Sequence, residues 1–243
     1  MLPLPYAEPF ATILYALLGL DLALLAGGLL LGRPDPLGYG RLPLPLRMGL
    51  SVTLVAAALT QVALAGGCIW GGYARLVAGG MALGLLGDLI MAGLIRVADR
   101  LVFGMAAFGL GHLAYMAALL VLLLGRGWGD GMTGLGLWLL VAALAVVLWT
   151  ALVRKPRGDR FLNTAALGYS LLLASVNALA LNLALHSSTF VPLALGAALF
   201  LASDLVLGRW AIRGLPFRGV NDVVWVTYNL GQLLIVFSIA SAA

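Results

Sequence analysis

The sequence predicts an all-α fold: a polytopic membrane bundle of eight transmembrane helices, forming one integral membrane domain over residues 1–243. Three observations carry this reading. Hydrophobic residues make up 63% of the chain and charged residues 9%, with a mean hydropathy of +1.09, whereas soluble domains carry about 25% charged residues. Apolar runs of roughly 20 residues, the length that crosses a bilayer, recur eight times. The loops between them alternate between many basic residues and few, an asymmetry that dropping one helix would scramble.

The first run covers residues 10–32. It is preceded by Glu8 and by no Lys or Arg, so it lacks the basic leader of a cleavable signal peptide and reads as a retained helix. It holds Asp21 and ends at Gly32-Arg33-Pro34-Asp35-Pro36. The second and third runs, 48–66 and 73–95, share the softest boundary, interrupted by Gly66-Gly67 and Gly71-Gly72. The fourth, 101–124, is glycine-rich from Gly104 to Gly111, a close-packing surface. The fifth, 132–153, leads into Arg154-Lys155-Pro156-Arg157-Gly158-Asp159-Arg160. The sixth, 161–184, carries Ser170, Asn177 and Asn182, residue types that often glue helices together. His186, beside Ser187-Ser188, reads as solvated in an outer loop. The seventh run covers 188–208 and the eighth 219–241, with Asp222 near a helix start where its charge is favourable.

The charges orient these spans. Loop one holds Arg33, Arg41 and Arg47; loop three, Arg96 and Arg100; loop five, Arg154, Lys155, Arg157 and Arg160; loop seven, Arg209, Arg213 and Arg218. That puts 12 of the 14 Lys and Arg residues on one side, leaving Arg75 and Arg126 on the other. The positive-inside rule then makes the odd-numbered loops cytoplasmic and both termini external, in a cytoplasmic (inner) membrane. The net charge of +5 is thus a topology signal with an affinity for membrane lipids, not a nucleic-acid signature. One cysteine, Cys68, and two histidines, His112 and His186, exclude a disulfide framework and argue against a metal centre. No HExxH, GxSxG, Walker loop or CxxC calls for a metal or a cofactor.

Two windows repeat. Gly80-Met81-Ala82-Leu83-Gly84-Leu85-Leu86-Gly87-Asp88-Leu89 and Gly196-Ala197-Ala198-Leu199-Phe200-Leu201-Ala202-Ser203-Asp204-Leu205 are identical at six of ten positions. They lie in spans three and seven, which run in the same direction, as a parallel four-plus-four repeat requires. An intramembrane carboxylate is costly and by default marks a functional site. Asp88 lies about 12 Å and Asp204 about 8 Å from the cytoplasmic end at the helical rise. His112 follows Asp88 by 24 residues and Tyr228 follows Asp204 by 24, so each half pairs an Asp with a hydrogen-bonding companion on the next helix. Tyr115 shares the helix face of His112, and Gln232 follows Tyr228 by one turn. A polar cavity open toward the inner leaflet satisfies them all. Each also has a structural alternative: a protonated carboxyl, a bridging histidine, a packing tyrosine.

The stretch Gly87-Asp88 followed by Phe103-Gly104-Met105-Ala106-Ala107-Phe108-Gly109-Leu110-Gly111-His112-Leu113-Ala114-Tyr115 resembles the YhhN family. So does the later run Gly196 to Ser203-Asp204 with Tyr228 and Gln232-Leu233-Leu234-Ile235. The chain departs from the family at the Lys-Pro pair before span two, where it has Arg41-Leu42-Pro43 and Pro45-Leu46-Arg47. The resemblance implies a lysoplasmalogenase, an ether hydrolase of lipid metabolism that splits the vinyl ether of a lysophospholipid into a fatty aldehyde and a glycerophospho-ethanolamine or -choline. Protonating a vinyl ether creates an oxocarbenium ion that water captures, so one carboxylic acid and one carboxylate divide the work, as in glycosidases. Asp88, Asp204 and His112 are therefore the candidate catalytic residues, and Tyr115, Tyr228, Gln232, Ser203 and Asn177 the candidate substrate contacts. A proton-coupled or lipid transporter and a hydrolase of another lipid bond are the alternatives.

Overall fold

A computed structural model describes residues 6–65 and 68–242. Eight helices are long and apolar enough to cross a membrane. In chain order they are α1 Phe10–Leu31, α2 Leu44–Leu64, α3 Cys68–Met91, α4 Arg100–Gly125, α5 Gly131–Leu148, α6 Arg160–His186, α7 Val191–Ala211 and α8 Val220–Ala242. A π turn, Trp149–Val153, prolongs α5, and a 3-10 turn, Ser188–Phe190, leads into α7. No strand occurs among the described residues. The interruption expected at Gly66-Gly67 lies outside them, whereas Gly71-Gly72 falls inside an unbroken α3.

Local chemistry sets the helix ends. Asp99 caps α4 by accepting from Leu101 and Val102 N–H, Asp130 caps α5 through Met132 N–H, and Asp159 caps α6 through Leu162 N–H. Pro45 and Pro192 occupy first turns of α2 and α7, where no intrahelical donor is needed. Gly93 and Gly127 end α3 and α4 with φ of 74° and 68°. There the N–H of Leu94 reaches Leu89 O and that of Trp128 reaches Leu123 O, closing each end as only a left-handed residue allows.

Helix α3 packs most extensively on α4, and α7 on α8, while α8 also lies against α2 and α3. Both repeated windows make a backbone-close crossing at their first residue. A Cβ on Gly111 would stand 3.0 Å from Gly80 O, and one on Gly196 2.8 Å from Gly231 O. The crossing residues are separated by 31 positions in one half (80 to 111) and by 35 in the other (196 to 231). The match by equal 24-residue spacing is therefore one turn out of register: His112 corresponds to Gln232, and the counterpart of Tyr228 is Phe108. On the periphery, side chains such as Leu31, Leu124, Leu140 and Val147 face outward, as suits a hydrocarbon surround.

Several positions differ from the sequence expectation. Helix α2 begins at Leu44, four residues before the apolar run, so Arg47 belongs to its first turn and not to loop one. The polar character of Arg47 hid that start. Helix α3 ends at Met91, so Asp88 lies in its last turn, about 4.5 Å from the helix end, while Asp204 lies about 10 Å from the end of α7 by the helical rise. The depth order is the reverse of the expected one. Asp222 also does more than favour a helix dipole: its Oδ1 accepts from Arg41 N–H (2.7 Å) and Leu42 N–H (3.2 Å), fastening the α1–α2 loop to α8. Asp35 organises that loop by accepting from the N–H groups of Leu37, Tyr39 and Gly40. His186 is exposed, stacked on Trp128 at 5.4 Å.

Candidate functional site

Asp88 is 5% exposed. Its Oδ2 accepts one hydrogen bond from Ser51 Oγ on α2 (2.5 Å) and another from Tyr228 Oη on α8 (2.8 Å). Two donors from two helices suit a carboxylate, because each bond strengthens with the acceptor's charge. Tyr228 is aimed by an aromatic box: Phe108, Phe200 and Trp225 meet its ring edge-on at 5.9, 5.2 and 5.4 Å. Gly84 makes room behind it, since a Cβ there would stand 3.0 Å from Gln232 Nε2 and 3.3 Å from Tyr228 Oη.

Asp204 is half-buried and receives one hydrogen bond, from Tyr169 Oη on α6 at 2.5 Å. His112 Nε2 lies 3.3 Å from the same hydroxyl. Because the tyrosine proton goes to Asp204, the network assigns the Nε2–H tautomer to His112, which donates to the phenolic oxygen. His112 is buried, tilted against Phe200 at 4.6 Å, and its Nδ1 has no hydrogen-bond partner among the described residues. It stands behind Tyr169 and bonds neither aspartate. The expected pairing within each half is thus crossed. Asp88 of the first half is held by Tyr228 of the second, and Asp204 of the second connects through Tyr169 to His112 of the first.

Both carboxyls line one cavity of about 160 Å³, together with Arg47, Phe108, Ser203, Trp210, Asn221, Trp225 and Tyr228. Toward the loop end it adjoins a cavity of about 450 Å³ bordered by Arg33, Asp35 and Arg41, with Arg47 and Asn221 common to both. On the other side Asp204 also borders a narrow apolar pocket of about 40 Å³ among Leu101, Met105, Leu173 and Leu201. Met105 and Tyr169 separate that pocket from an open apolar groove between α4 and α6, lined by Leu110, Leu113, Phe161 and Leu172. The cavity holding the two acids therefore adjoins a polar, basic cavity on one side, and Asp204 borders a small apolar pocket on the other. Among the described residues no group of three His, Cys, Asp or Glu side chains could hold a metal ion.

The other candidates divide. Ser203 borders the cavity, but its Oγ donates to Val224 O (2.9 Å) and ties α7 to α8. Tyr115 and Gln232 are buried one layer behind it, Tyr115 Oη donating to Gln232 Oε1 at 2.7 Å. They brace Tyr228 and do not line the cavity. Asn177 is a correction: its Nδ2 bonds Leu173 O and Ala197 O, joining α6 to α7 away from the cavities. Asp21 is fully buried elsewhere, accepting from Asn229 Nδ2 at 2.7 Å. Sequence reasoning missed Tyr169, Ser51 and Arg47. Serine and tyrosine in a helix carry no positional signal by themselves, and Arg47 was absorbed into the count of loop charges.

The YhhN family profile matches residues 46–239, from the first turn of α2 nearly to the end of α8. The chain belongs to the YhhN family. That match spans Asp88, His112, Tyr169, Asp204 and Tyr228 in one continuous segment. No curated protein and no solved structure matches the chain.

Proposed function

We propose that this YhhN family protein is a lysoplasmalogenase, a membrane hydrolase that cleaves the vinyl ether of a lysophospholipid to a fatty aldehyde and a glycerophospho-ethanolamine or -choline. The observation that carries the reading is the pair of carboxyls on one cavity, flanked by a basic cavity and by a small apolar pocket. An amphiphile with its reactive bond between headgroup and chain suits that arrangement. We read the odd-numbered loops as cytoplasmic, in the inner membrane, and the halves as a parallel repeat that supplies one acid each.

Asp204, with one donor and an apolar pocket beside it, acts as the acid. The alkenyl π pair takes the Asp204 proton at the carbon remote from oxygen, forming the new C–H bond, and a lone pair of the ether oxygen stabilises the adjacent carbon as the oxocarbenium ion. Asp88, kept as carboxylate by Ser51 and Tyr228, faces that cation. Water bonds to the cationic carbon and gives a proton to Asp88, leaving a neutral hemiacetal. Asp88 then protonates the glycerol oxygen as its bond to carbon breaks, while the hemiacetal hydroxyl returns a proton to Asp204. The products are aldehyde and alcohol, and both acids regain their starting forms. His112 positions Tyr169, whose hydroxyl steadies Asp204 through its charged stage.

Purified protein incubated with a lysoplasmalogen and with its saturated-ether and ester analogues tests the reading. Aldehyde is expected from the vinyl ether alone, and in D₂O one deuterium on the carbon next to the carbonyl. Substrate-dependent proton flux in vesicles without aldehyde release would replace the hydrolase by a carrier.

A further inference from the structure

Among the described residues, Arg47 is the one cationic side chain bordering the cavity that holds the two acids. It lies over the Trp225 ring, 5.8 Å from the centroid, and its buried Nε has no hydrogen-bond partner among the described residues. A buried guanidinium donor left unmade is costly, and its fork geometry matches a phosphate. Asn221 lines both this cavity and the adjoining basic one with it, the latter also bordered by Arg33 and Arg41.

Two ladders place it. On α2, Arg47 precedes Ser51 by four residues, one turn toward the loop end, and Ser51 bonds Asp88. On α8, Trp225 precedes Tyr228 by three residues, and Tyr228 bonds Asp88 as well. The backbones of Arg47 and of its aromatic seat are thus both about one helical turn, ~5 Å along the axis, from the residues that hold Asp88. In a glycerol-based ether lipid the phosphorus lies five bonds from the ether oxygen, a span of the same order when extended.

We propose that Arg47, seated on Trp225 with Asn221 lining the same cavity, is the phosphate-binding group of this site and takes the headgroup phosphodiester of the lysophospholipid. The inference rests on the lysoplasmalogenase reading for the identity of the lipid, but the anion site is separable from the chemistry. It converts a basic residue counted for topology into the determinant that sets the ether at a fixed distance from the acids. Bidentate bonds to phosphate are worth roughly ten- to a hundredfold in affinity.

The test pairs Arg47→Gln and Arg47→Lys with two substrates, a lysoplasmalogen and the phosphate-free 1-alkenylglycerol. Arg47→Gln is expected to raise KM for the phospholipid at least tenfold with kcat little changed, leaving KM for the alkenylglycerol unaltered. Arg47→Lys, which keeps charge without the fork, is expected to fall between, and it decides the matter if the glutamine variant does not fold. Equal effects on both substrates, or none on either, would overturn the phosphate assignment while the hydrolase stands. Binding of the non-hydrolysable saturated-ether lysophospholipid, read by Trp225 and Trp210 fluorescence, separates the two claims. Binding that Arg47→Gln weakens, with no aldehyde from any vinyl ether, keeps the phosphate site and removes the hydrolase. Inorganic phosphate alone is the third arm: binding as tight as the lipid's would overturn the lipid headgroup as the ligand.

Discussion

Asp88 and Asp204 end two windows that share six of ten residues, yet their surroundings differ. Asp88 is buried in the last turn of α3 and held by two donors from α2 and α8. Asp204 sits about two turns from the end of α7 by the helical rise, half-buried, with one donor from α6 and an apolar pocket on its flank. The windows share what a helix can encode by itself: a glycine at the crossing and a carboxyl about two turns further on. The neighbours that distinguish the two acids come from helices outside the windows. Two similar windows thus present two chemically identical groups, and the remaining helices surround them differently.

The largest effect that would break this comparison comes from removing either acid. Asp88→Asn and Asp204→Asn should each lower aldehyde release by roughly a hundred- to ten-thousandfold, the range for a lost acid or base, with normal membrane insertion. A variant retaining the wild-type rate would remove that residue from the reaction. Next come the tyrosines. Tyr169→Phe strips Asp204 of its donor, whereas Tyr228→Phe leaves Ser51 on Asp88. The expected loss in kcat is about ten- to a hundredfold for Tyr169→Phe, from a bond to a charged group, and smaller for Tyr228→Phe until Ser51→Ala is added. The reverse order would contradict the division of roles.

Asp21 sharpens the comparison from outside, as a buried carboxyl that borders neither cavity. Asp21→Ala leaves the Asn229 amide unpaired and should cost about 1–3 kcal/mol of stability, read by thermal unfolding in detergent, with turnover within about twofold of wild type at a permissive temperature. The smallest effect belongs to Asp35, a partly exposed carboxylate held below its ordinary value of 3.8 chiefly by the Tyr39 N–H, with further help from Leu37 and Gly40. Since its folded value is the lower one, its contribution is complete above pH 3.8 and is lost as pH falls through the folded value. Trp210 fluorescence, reporting on Tyr39 at 5.6 Å, should be flat above that pH and change below it. Asp35→Asn should show the acid-side signal at neutral pH.

Much of the candidate site was legible before folding because burying charge in a membrane is costly. A carboxyl at Asp88 or Asp204 in an apolar run stands out against its neighbours, and Tyr228 stands out by its place after a repeated window. Tyr169 does not, because a membrane tyrosine is ordinary until its hydroxyl meets a carboxylate. Asn177 misled for the matching reason: an amide is polar enough to suggest a ligand contact, and the backbone carbonyls of Leu173 and Ala197 satisfy it instead.

By itself the sequence determined eight spans, because backbone groups in hydrocarbon must be satisfied within each helix and a span needs a set length of apolar residues. It also determined the charge asymmetry of the loops and the two acids. Only the tertiary structure decided that Asp88 answers to Tyr228 and Asp204 to Tyr169, that Asn177 stands apart, and that Arg47 turns inward over Trp225. Those are contacts between helices far apart in the chain. They depend on crossing points such as Gly80 with Gly111 and Gly196 with Gly231, where a shift of one turn exchanges which side chains meet.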